Sequence, residues 1–229
     1  YGTVPLKVSF TNLSTGNITS YEWDMDGDGS PDTFVREPVW TYTTAGWYTV
    51  RLTVSGPGGT DTCEKFLLIK AAKNIWYVDG NGGSDSNGGT SWADAFKTIQ
   101  KGLDEAGDYD LVLVNLGVYS GAGNTNLSFA GKKVYLMAYR ETGVVIDGGG
   151  TERAFDLSAS VMRDAVIDGF EVTNCSRDFG GAVYLFGASP TFKGCKFSNC
   201  SAGILGGAVC AKDTSVLFVD CEFFDCSVT

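Results

Sequence analysis

The C-terminal half of the chain repeats itself with a period of about 25 residues. The segment GGAVYLFGASPTFKGCKFSNCSA (180–202) aligns with GGAVCAKDTSVLFVDCEFFDCSV (206–228) at an offset of 26, and IDGFEVTNCS (167–176) aligns with FKGCKFSNCS (192–201) at an offset of 25. Each repeat contains short β-type segments that are too small to form a core alone, so neighbouring repeats must bury one another. The period therefore predicts a parallel β-solenoid.

Earlier segments fit the same plan with looser spacing, namely DLVLVNLGVY, KKVYLMAYR, VVIDGGG and RAFDLSA. At about 25 residues per coil, residues 108–229 would hold roughly five coils. An unpaired last coil would leave strand edges open. We therefore expect the coil stack to continue past residue 229, or to associate end to end with another chain.

A single helix is expected before the coils, in SWADAFKTIQKGLDEAG (91–107). Ser91 can cap it with Asp94 three residues later, and Gly107 can end it. Trp92, Phe96 and Ile99 fall on one face. The pattern predicts an N-terminal capping helix that covers the first coil.

Residues 1–70 show a different pattern, typical of a small β-sandwich. Apolar and polar residues alternate between links rich in Gly, Asn, Ser and Pro, and AAKN (71–74) is a short linker. The run YEWDMDGDG followed by YTTAGWYTVRLTVSGPGGTDT resembles a PKD domain, which implies an immunoglobulin-like sandwich common on extracellular proteins. The aromatic residues are interpreted as sandwich core or strand face, with a sugar-binding platform as the alternative: Trp23, Trp40, Trp47 and Tyr48.

The second part of the chain carries two further resemblances. YVDGNGGSDSNGGTSWADAFKTIQKGL followed by LVLVNLGVYSG resembles the N-terminal cap and first coil of pectin-lyase-like right-handed parallel β-helices. The GGAV…F-x-x-C units resemble the GGA-[ILV]…F-x-x-N repeats of polymorphic outer-membrane adhesins, with Cys200 and Cys226 where that pattern has Asn. The predicted fold is all-β: an immunoglobulin-like β-sandwich (1–70), then a right-handed parallel β-helix (71–229) with a cap at about 75–107 and coils at about 108–229.

The repeat alignment places the cysteines in columns. Cys195 falls over Cys221, and Cys175, Cys200 and Cys226 form a second column. These positions otherwise belong to apolar core residues, which favours free, stacked thiols. Disulfides between coils and a zinc site are the alternatives, although C-x-x-x-x-C is not a usual zinc spacing.

The alignment also places charges in columns. Glu171, Lys196 and Glu222 share an outward column, where the alternation of sign relieves repulsion between stacked strands. Asp168, Lys193 and Val219 share another column. The first column is interpreted as structural, and the second gives no positive support for a catalytic site.

One short loop has a composition suited to metal chemistry. DMDGDGSPD (24–32) places four carboxylates at positions 1, 3, 5 and 9 of a D-x-D-x-D-G-x-x-D pattern, and the carbonyl of Ser30 lies at position 7. Alternate carboxylates on a glycine-rich turn can converge on a hard cation, although Val35 replaces the usual Glu at position 12. The pattern predicts an extracellular-type calcium site, or else a solvated acidic turn: Asp24, Asp26, Asp28, Ser30 and Asp32.

Composition removes several classes of function. The chain has 229 residues and no histidine, which excludes Ser-His-Asp and Cys-His catalysis and His-ligated zinc. Its formal net charge of −10 argues against nucleic-acid partners, because binding to phosphate requires clustered Lys and Arg. Neutral partners, cationic partners and metal ions are favoured, and no apolar run is long enough to span a membrane.

These observations favour a non-catalytic extracellular or cell-surface protein, structural or adhesive, with a calcium-stabilised sandwich and a β-helical binding region. The alternatives are a polysaccharide lyase or glycoside hydrolase and a carbohydrate-binding module. An enzyme would draw its catalytic groups from scattered residues that show no clear spacing: Asp147, Arg153, Asp156, Asp168, Arg177 and Asp178.

Overall fold

The computed structural model describes residues 1–140, 142–158 and 163–229. The chain forms two compact units, Tyr1–Lys73 and Asn74–Thr229. About 4% of the chain is helical, so the prediction of an all-β fold is confirmed.

The first unit is a two-sheet sandwich. One sheet has the strand order β1–β6–β5–β3 and the other pairs β2 with β4. The strands are β1 (Gly2–Thr3), β2 (Leu6–Ser9), β3 (Ser20–Asp24), β4 (Val39–Tyr42), β5 (Gly46–Gly56) and β6 (Gly59–Ala72).

Aromatic side chains form much of the sandwich core, as the sequence indicated. Trp23 and Tyr42 are buried, and Trp40 and Tyr48 pack against the same core from partly buried positions. The ring centroids of Phe10 and Trp23 lie 5.5 Å apart. Burial in the core leaves Trp23 and Tyr42 no exposed ring face for sugar stacking.

Over the described residues, the second unit contains one strand, a 3-10 turn, one short α-helix and then sixteen short strands. It opens with β7 (Ile75–Val78), a 3-10 turn (Trp92–Asp94) and α1 (Ile99–Glu105). The strands that follow are β8 (Leu111–Val114), β9 (Gly117–Ser120), β10 (Tyr135–Ala138), β11 (Val144–Asp147), β12 (Phe155–Leu157), β13 (Val166–Asp168), β14 (Glu171–Thr173), β15 (Ser176–Phe179), β16 (Val183–Phe186), β17 (Thr191–Lys193), β18 (Lys196–Ser198), β19 (Ser201–Leu205), β20 (Val209–Lys212), β21 (Leu217–Val219), β22 (Glu222–Phe224) and β23 (Ser227–Val228).

Among the residues that the structure describes, these strands stack into four parallel sheets, which makes the unit a β-solenoid. Sheet I is β7–β8–β10–β13–β17–β21 and sheet II is β9–β11–β14–β18–β22. Sheet III is β15–β19–β23 and sheet IV is β12–β16–β20. Their inward side chains form one continuous apolar core, against which Phe218 packs by stacking on Phe192 with ring centroids 5.1 Å apart.

The corners between sheets II and III explain the asparagines of the repeat. Asn174, Asn199 and Asp225 occupy equivalent corners with φ of 53°, 50° and 51°. Asn and Asp tolerate this left-handed conformation better than other residues with a Cβ atom. The repeat therefore keeps Asn or Asp immediately before each cysteine of the second column.

The solenoid has about four turns rather than the roughly five expected. Register partners in sheet I are 24, 31, 25 and 26 residues apart from β8 to β21. The coil from β10 to β13 is longer than the period that the later repeats suggest. A uniform period therefore overestimates the number of turns.

The expected single capping helix from Ser91 to Gly107 is wrong in form. Ser91 makes no side-chain cap, and the chain is extended at Ala95 before α1 begins after Thr98, which caps it by accepting from Lys101 N–H. Asp85 accepts from the N–H groups of Lys97 and Thr98 at 2.9 Å each, which holds this segment extended. These tertiary hydrogen bonds override the local helical pattern.

The face predicted for that helix is buried only in part. Phe96 and Ile99 lie in the solenoid core, whereas Trp92 is half-buried and packs on Tyr77, with ring centroids 4.8 Å apart.

Within the described ranges, no helix is long and apolar enough to span a membrane.

Candidate metal centre in the first unit

The acidic loop leaves the sandwich at the end of β3 and returns at Thr33. Trp23 and Thr33 form a bridge, and Asp32 N–H donates to the Trp23 carbonyl at 2.7 Å. The loop therefore begins and ends at the edge strand β3, and backbone hydrogen bonds hold its two ends together.

Three of the predicted ligands come together in this loop. Asp24, Asp26 and Asp28 each offer one carboxylate oxygen, and these oxygens all lie within 4.8 Å of one another. Asp24 is buried, and Asp26 and Asp28 are exposed. Asp32 lies outside this group, and its Oδ2 accepts from Met25 N–H at 2.6 Å. Ser30 donates its N–H to Asp28 Oδ1 at 2.7 Å.

Backbone hydrogen bonds to the carboxylates hold the loop in shape. Asp24 accepts from Gly27 N–H at 2.6 Å and from Gly29 N–H at 2.9 Å. Gly27 has φ of 78°, and a Cβ atom there would meet the Thr49 carbonyl oxygen at 3.2 Å. The loop thus needs glycine at this position both for its backbone conformation and for its close approach to β5.

Two residues that anchor the loop were missed from the sequence. Met25 is fully buried beneath the acidic turn, and its carbonyl accepts from the Tyr42 hydroxyl at 3.0 Å. Burial raises the pKa of Tyr42, so the hydroxyl remains a proton donor. An apolar Met between two Asp residues was the available signal, but its partner lies 17 residues away in the chain.

The carboxylates of the loop repel one another. Desolvation raises the pKa of Asp26, as does the charge of Asp28, Asp32 and Asp24, while the N–H of Asp28 partly offsets the rise. A bound cation would remove this repulsion. Carboxylate oxygens are the donors that calcium prefers, and calcium takes six to eight oxygens, so the three carboxylates would leave room for water or carbonyl ligands.

The charge columns of the solenoid match the sequence prediction. Glu171, Lys196 and Glu222 are register partners, and Lys196 lies 3.5 Å from Glu222. Asp168 pairs in register with Lys193, which lies 3.3 Å from it.

Most of the candidate catalytic residues are held by structural partners. Arg153 lies 3.7 Å from Asp156, and Arg177 pairs with Glu152. Asp147 accepts from Gly149 N–H at 2.8 Å and from the Asn174 side chain at 2.9 Å. Asp178 is exposed. The structure therefore spreads these groups over separate contacts.

All seven cysteines are free thiols. Cys175, Cys195 and Cys200 are buried, and each column thiol donates to the carbonyl two residues before it, as Cys200 does to Ser198 at 3.1 Å. Burial and the adjacent Cys221 thiol raise the pKa of Cys195. Among the described residues, the three-ligand cluster consists of carboxylates and includes no thiol.

Comparison with known proteins identifies the first unit. Residues 2–70 match the PKD domain family, so the N-terminal unit is a PKD domain. The chain also matches the pre-pro-metalloprotease PrtV of Vibrio cholerae serotype O1 from two strains, with 38% identity over 69 residues.

The match to the protease is short on both sides. It covers 30% of this chain and 7% of the length of each curated relative. No solved structure matches the chain significantly. These matches do not confirm the pectin-lyase-like resemblance of the second unit, whose described architecture is a parallel β-solenoid.

Proposed function

We propose that the chain is a non-catalytic extracellular or cell-surface protein, structural or adhesive, in which a calcium-stabilised PKD domain precedes a polysaccharide-binding solenoid. The observation that carries the proposal is the register of the solenoid, because its repeats place successive coils in one repeating outer surface. PKD domains are found in extracellular and surface proteins, which supports the setting.

The outer face of sheet IV supports a glycan partner. Tyr184 and Cys210 are neighbours in register, as are Phe186 and Lys212. Arg153 lies 5.0 Å from the centroid of the Tyr184 ring, and Phe186 is 43% exposed. Aromatic rings beside polar and cationic groups suit sugar faces and hydroxyls. Because the net charge of −10 repels polyanions, we expect neutral polysaccharides to bind better than uronic acid polymers.

Equilibrium binding to neutral glucan, xylan and polygalacturonate tests this proposal. We expect saturable binding to a neutral polymer, weakened by Phe186→Ala. Phe224→Ala is the matched control, because Phe224 is 47% exposed but lies in sheet II. Failure of every polymer to bind, or equal loss in both variants, would contradict a glycan site on sheet IV.

The calcium proposal is carried by the convergence of Asp24, Asp26 and Asp28. Ser30 and Asp32 remain proposed outer ligands, through a carbonyl or through water. Calcium bound to the folded state should raise the melting temperature of the PKD domain by mass action. Calorimetry should show a heat of binding at millimolar calcium or below, the range of extracellular calcium modules.

The combined change of Asp26→Asn and Asp28→Asn should remove both the heat and the thermal shift. Asp61→Asn is the control, because Asp61 is an exposed acid on β6 of the same domain. If the unmodified chain shows neither a heat of binding nor a shift in melting temperature at millimolar calcium, the loop is only an acidic turn.

A further inference from the structure

The stretch that joins the acidic loop to β4, residues 34–39, carries exposed apolar side chains. It begins after Thr33, which bridges to Trp23 on β3. Phe34 is 66% exposed, Val35 58% and Val39 55%. Isolated exposed apolar side chains are common on protein surfaces, whereas this segment concentrates three of them within six residues. Segment 34–39 therefore presents apolar surface that the PKD domain itself does not cover.

Two opposite charges lie in the middle of this segment. Arg36 and Glu37 are adjacent in the chain, and both are exposed. Among the described residues, neither side chain forms a hydrogen bond or an ion pair. Arg51 and Glu64, which are also on the surface of the PKD domain, pair with each other instead. The charges of segment 34–39 therefore remain available to a partner.

The order of residues makes the segment complementary to itself. FVREPV (34–39) reads apolar, apolar, positive, negative, apolar, apolar. When two copies run antiparallel about a two-fold axis, Arg36 lies opposite Glu37 of the second copy, and Phe34 lies opposite its Val39. The axis repeats each contact, so two charge pairs form between two pairs of apolar contacts. A second copy of this chain therefore matches both the charges and the apolar surface.

The strand that follows the segment has an open edge. Phe10 N–H donates to the Pro38 carbonyl at 2.9 Å, so the backbone groups of Val39 and Thr41 point away from β2. Over the described residues, β4 pairs with β2 alone. Open strand edges can pair with another chain. β4 therefore offers unpaired backbone groups directly after the self-complementary segment.

We propose that segment 34–39 is the contact through which two copies of this chain associate about a two-fold axis. Association would remove Phe34, Val35 and Val39 from water, which is favourable. The two Arg36–Glu37 pairs would fix the antiparallel orientation. Because the segment is short, the contact is small and the dimer is weak and reversible. The inference depends neither on calcium binding nor on the glycan surface.

Sedimentation equilibrium of the full chain, from about 10 µM to about 1 mM at roughly 0.15 M salt, measures the association. We expect a monomer–dimer equilibrium. Phe34→Ser should weaken the dimer at least about tenfold, because the two-fold axis removes the apolar contact twice.

Two control variants remove apolar surface elsewhere and should leave the dissociation constant unchanged. Leu13→Ser changes a side chain that is 84% exposed in the same domain. Val228→Ser changes one that is 55% exposed on β23, and it detects association through the solenoid instead. Melting temperatures of all variants check that each chain is folded.

Charge variants test the two-fold pairing itself. Arg36→Glu and Glu37→Arg each place like charges opposite one another, and each should weaken the dimer about tenfold. The combined change restores opposite charges and should return the dissociation constant to within about threefold of that of the unmodified chain. Glu37→Arg also makes the chain less acidic, so it would strengthen the dimer if net charge alone governed association.

Three results would overturn the proposal. The first is a monomer at every concentration tested. The second is a dimer that Phe34→Ser leaves unchanged, or that Val228→Ser weakens to the same extent. The third is a combined charge variant that dissociates as readily as the two single charge variants.

Discussion

At the scale of single residues, the acidic loop shows how far sequence spacing can predict a site. Alternation of Asp and Gly predicted the convergence of Asp24, Asp26 and Asp28, because side-chain spacing along a turn is local. It could not predict that Met25 N–H would hold Asp32, or that Tyr42 would hold Met25. Those contacts depend on how the sandwich folds over the loop.

Asp26 should destabilise the calcium-free domain at neutral pH. Its pKa is raised from 3.8, so the folded state disfavours the charged form. This loss of folding stability is absent below pH 3.8, the ordinary pKa of Asp, where Asp26 is protonated in both states. It grows as the pH rises above 3.8 and is complete above the raised pKa. Without calcium, Asp26→Asn should therefore raise the melting temperature at pH 7 and lose this benefit near pH 3. With calcium, the same variant should be less stable than the unmodified chain at pH 7.

Thermal melts with calcium and with a chelator, at both pH values, measure this reversal. Asp61→Asn should show no reversal. A variant that is less stable at pH 7 in both conditions would mean that Asp26 stabilises the turn itself rather than awaiting a cation.

The buried thiols should behave as small apolar groups. Cys200→Ser places a more polar hydroxyl in the core and should destabilise the solenoid by about 1–3 kcal/mol. Cys63→Ser, at an exposed position, should change stability by less than about 0.5 kcal/mol. Denaturant unfolding measures both. Equal stabilities would show that the Cys200 column adds nothing by burial.

At the scale of elements, sequence periodicity predicted the stacked strands correctly where the register repeats. It predicted the wrong structure where tertiary contacts hold the chain in another conformation. The column of Glu171, Lys196 and Glu222 follows from alignment alone, because stacked parallel strands keep equivalent residues together. The helix from Ser91 failed because Asp85 and Thr98 form contacts that a helical face does not reveal. The lengthened coil after β10 likewise departs from the period of the later repeats.

The corner at Asn199 should require its left-handed backbone. Asn199→Ala keeps a Cβ atom without the local polar side chain and should destabilise the solenoid by about 1 kcal/mol. Asn199→Gly should be nearly neutral or slightly stabilising, because glycine adopts positive φ without strain. Denaturant midpoints of the two variants give the comparison. If both variants lose the same free energy of unfolding, Asn199 stabilises the solenoid through its side-chain contacts rather than through its backbone conformation.

At the scale of the whole molecule, composition indicates class of function better than it indicates partner. The absence of histidine excludes histidine-based catalysis, and the net charge of −10 argues against nucleic-acid partners. PKD domains are found in extracellular and surface proteins, and the 69-residue match of the chain to a metalloprotease covers too little of that protein to carry its activity. The solenoid carries the partner surface in our proposal, and its identity depends on side chains of sheet IV that no local motif marked.

The most direct test of the central claim is a combined binding and turnover measurement. The full chain is incubated with the neutral polymer that it binds best and with polygalacturonate, in millimolar calcium. Bound protein is followed by sedimentation, and new chain ends and unsaturated products are followed over time. We predict saturable binding to the neutral polymer with no product from either polymer. Products that accumulate in proportion to protein concentration and time would contradict the account, because they would make the solenoid an enzyme.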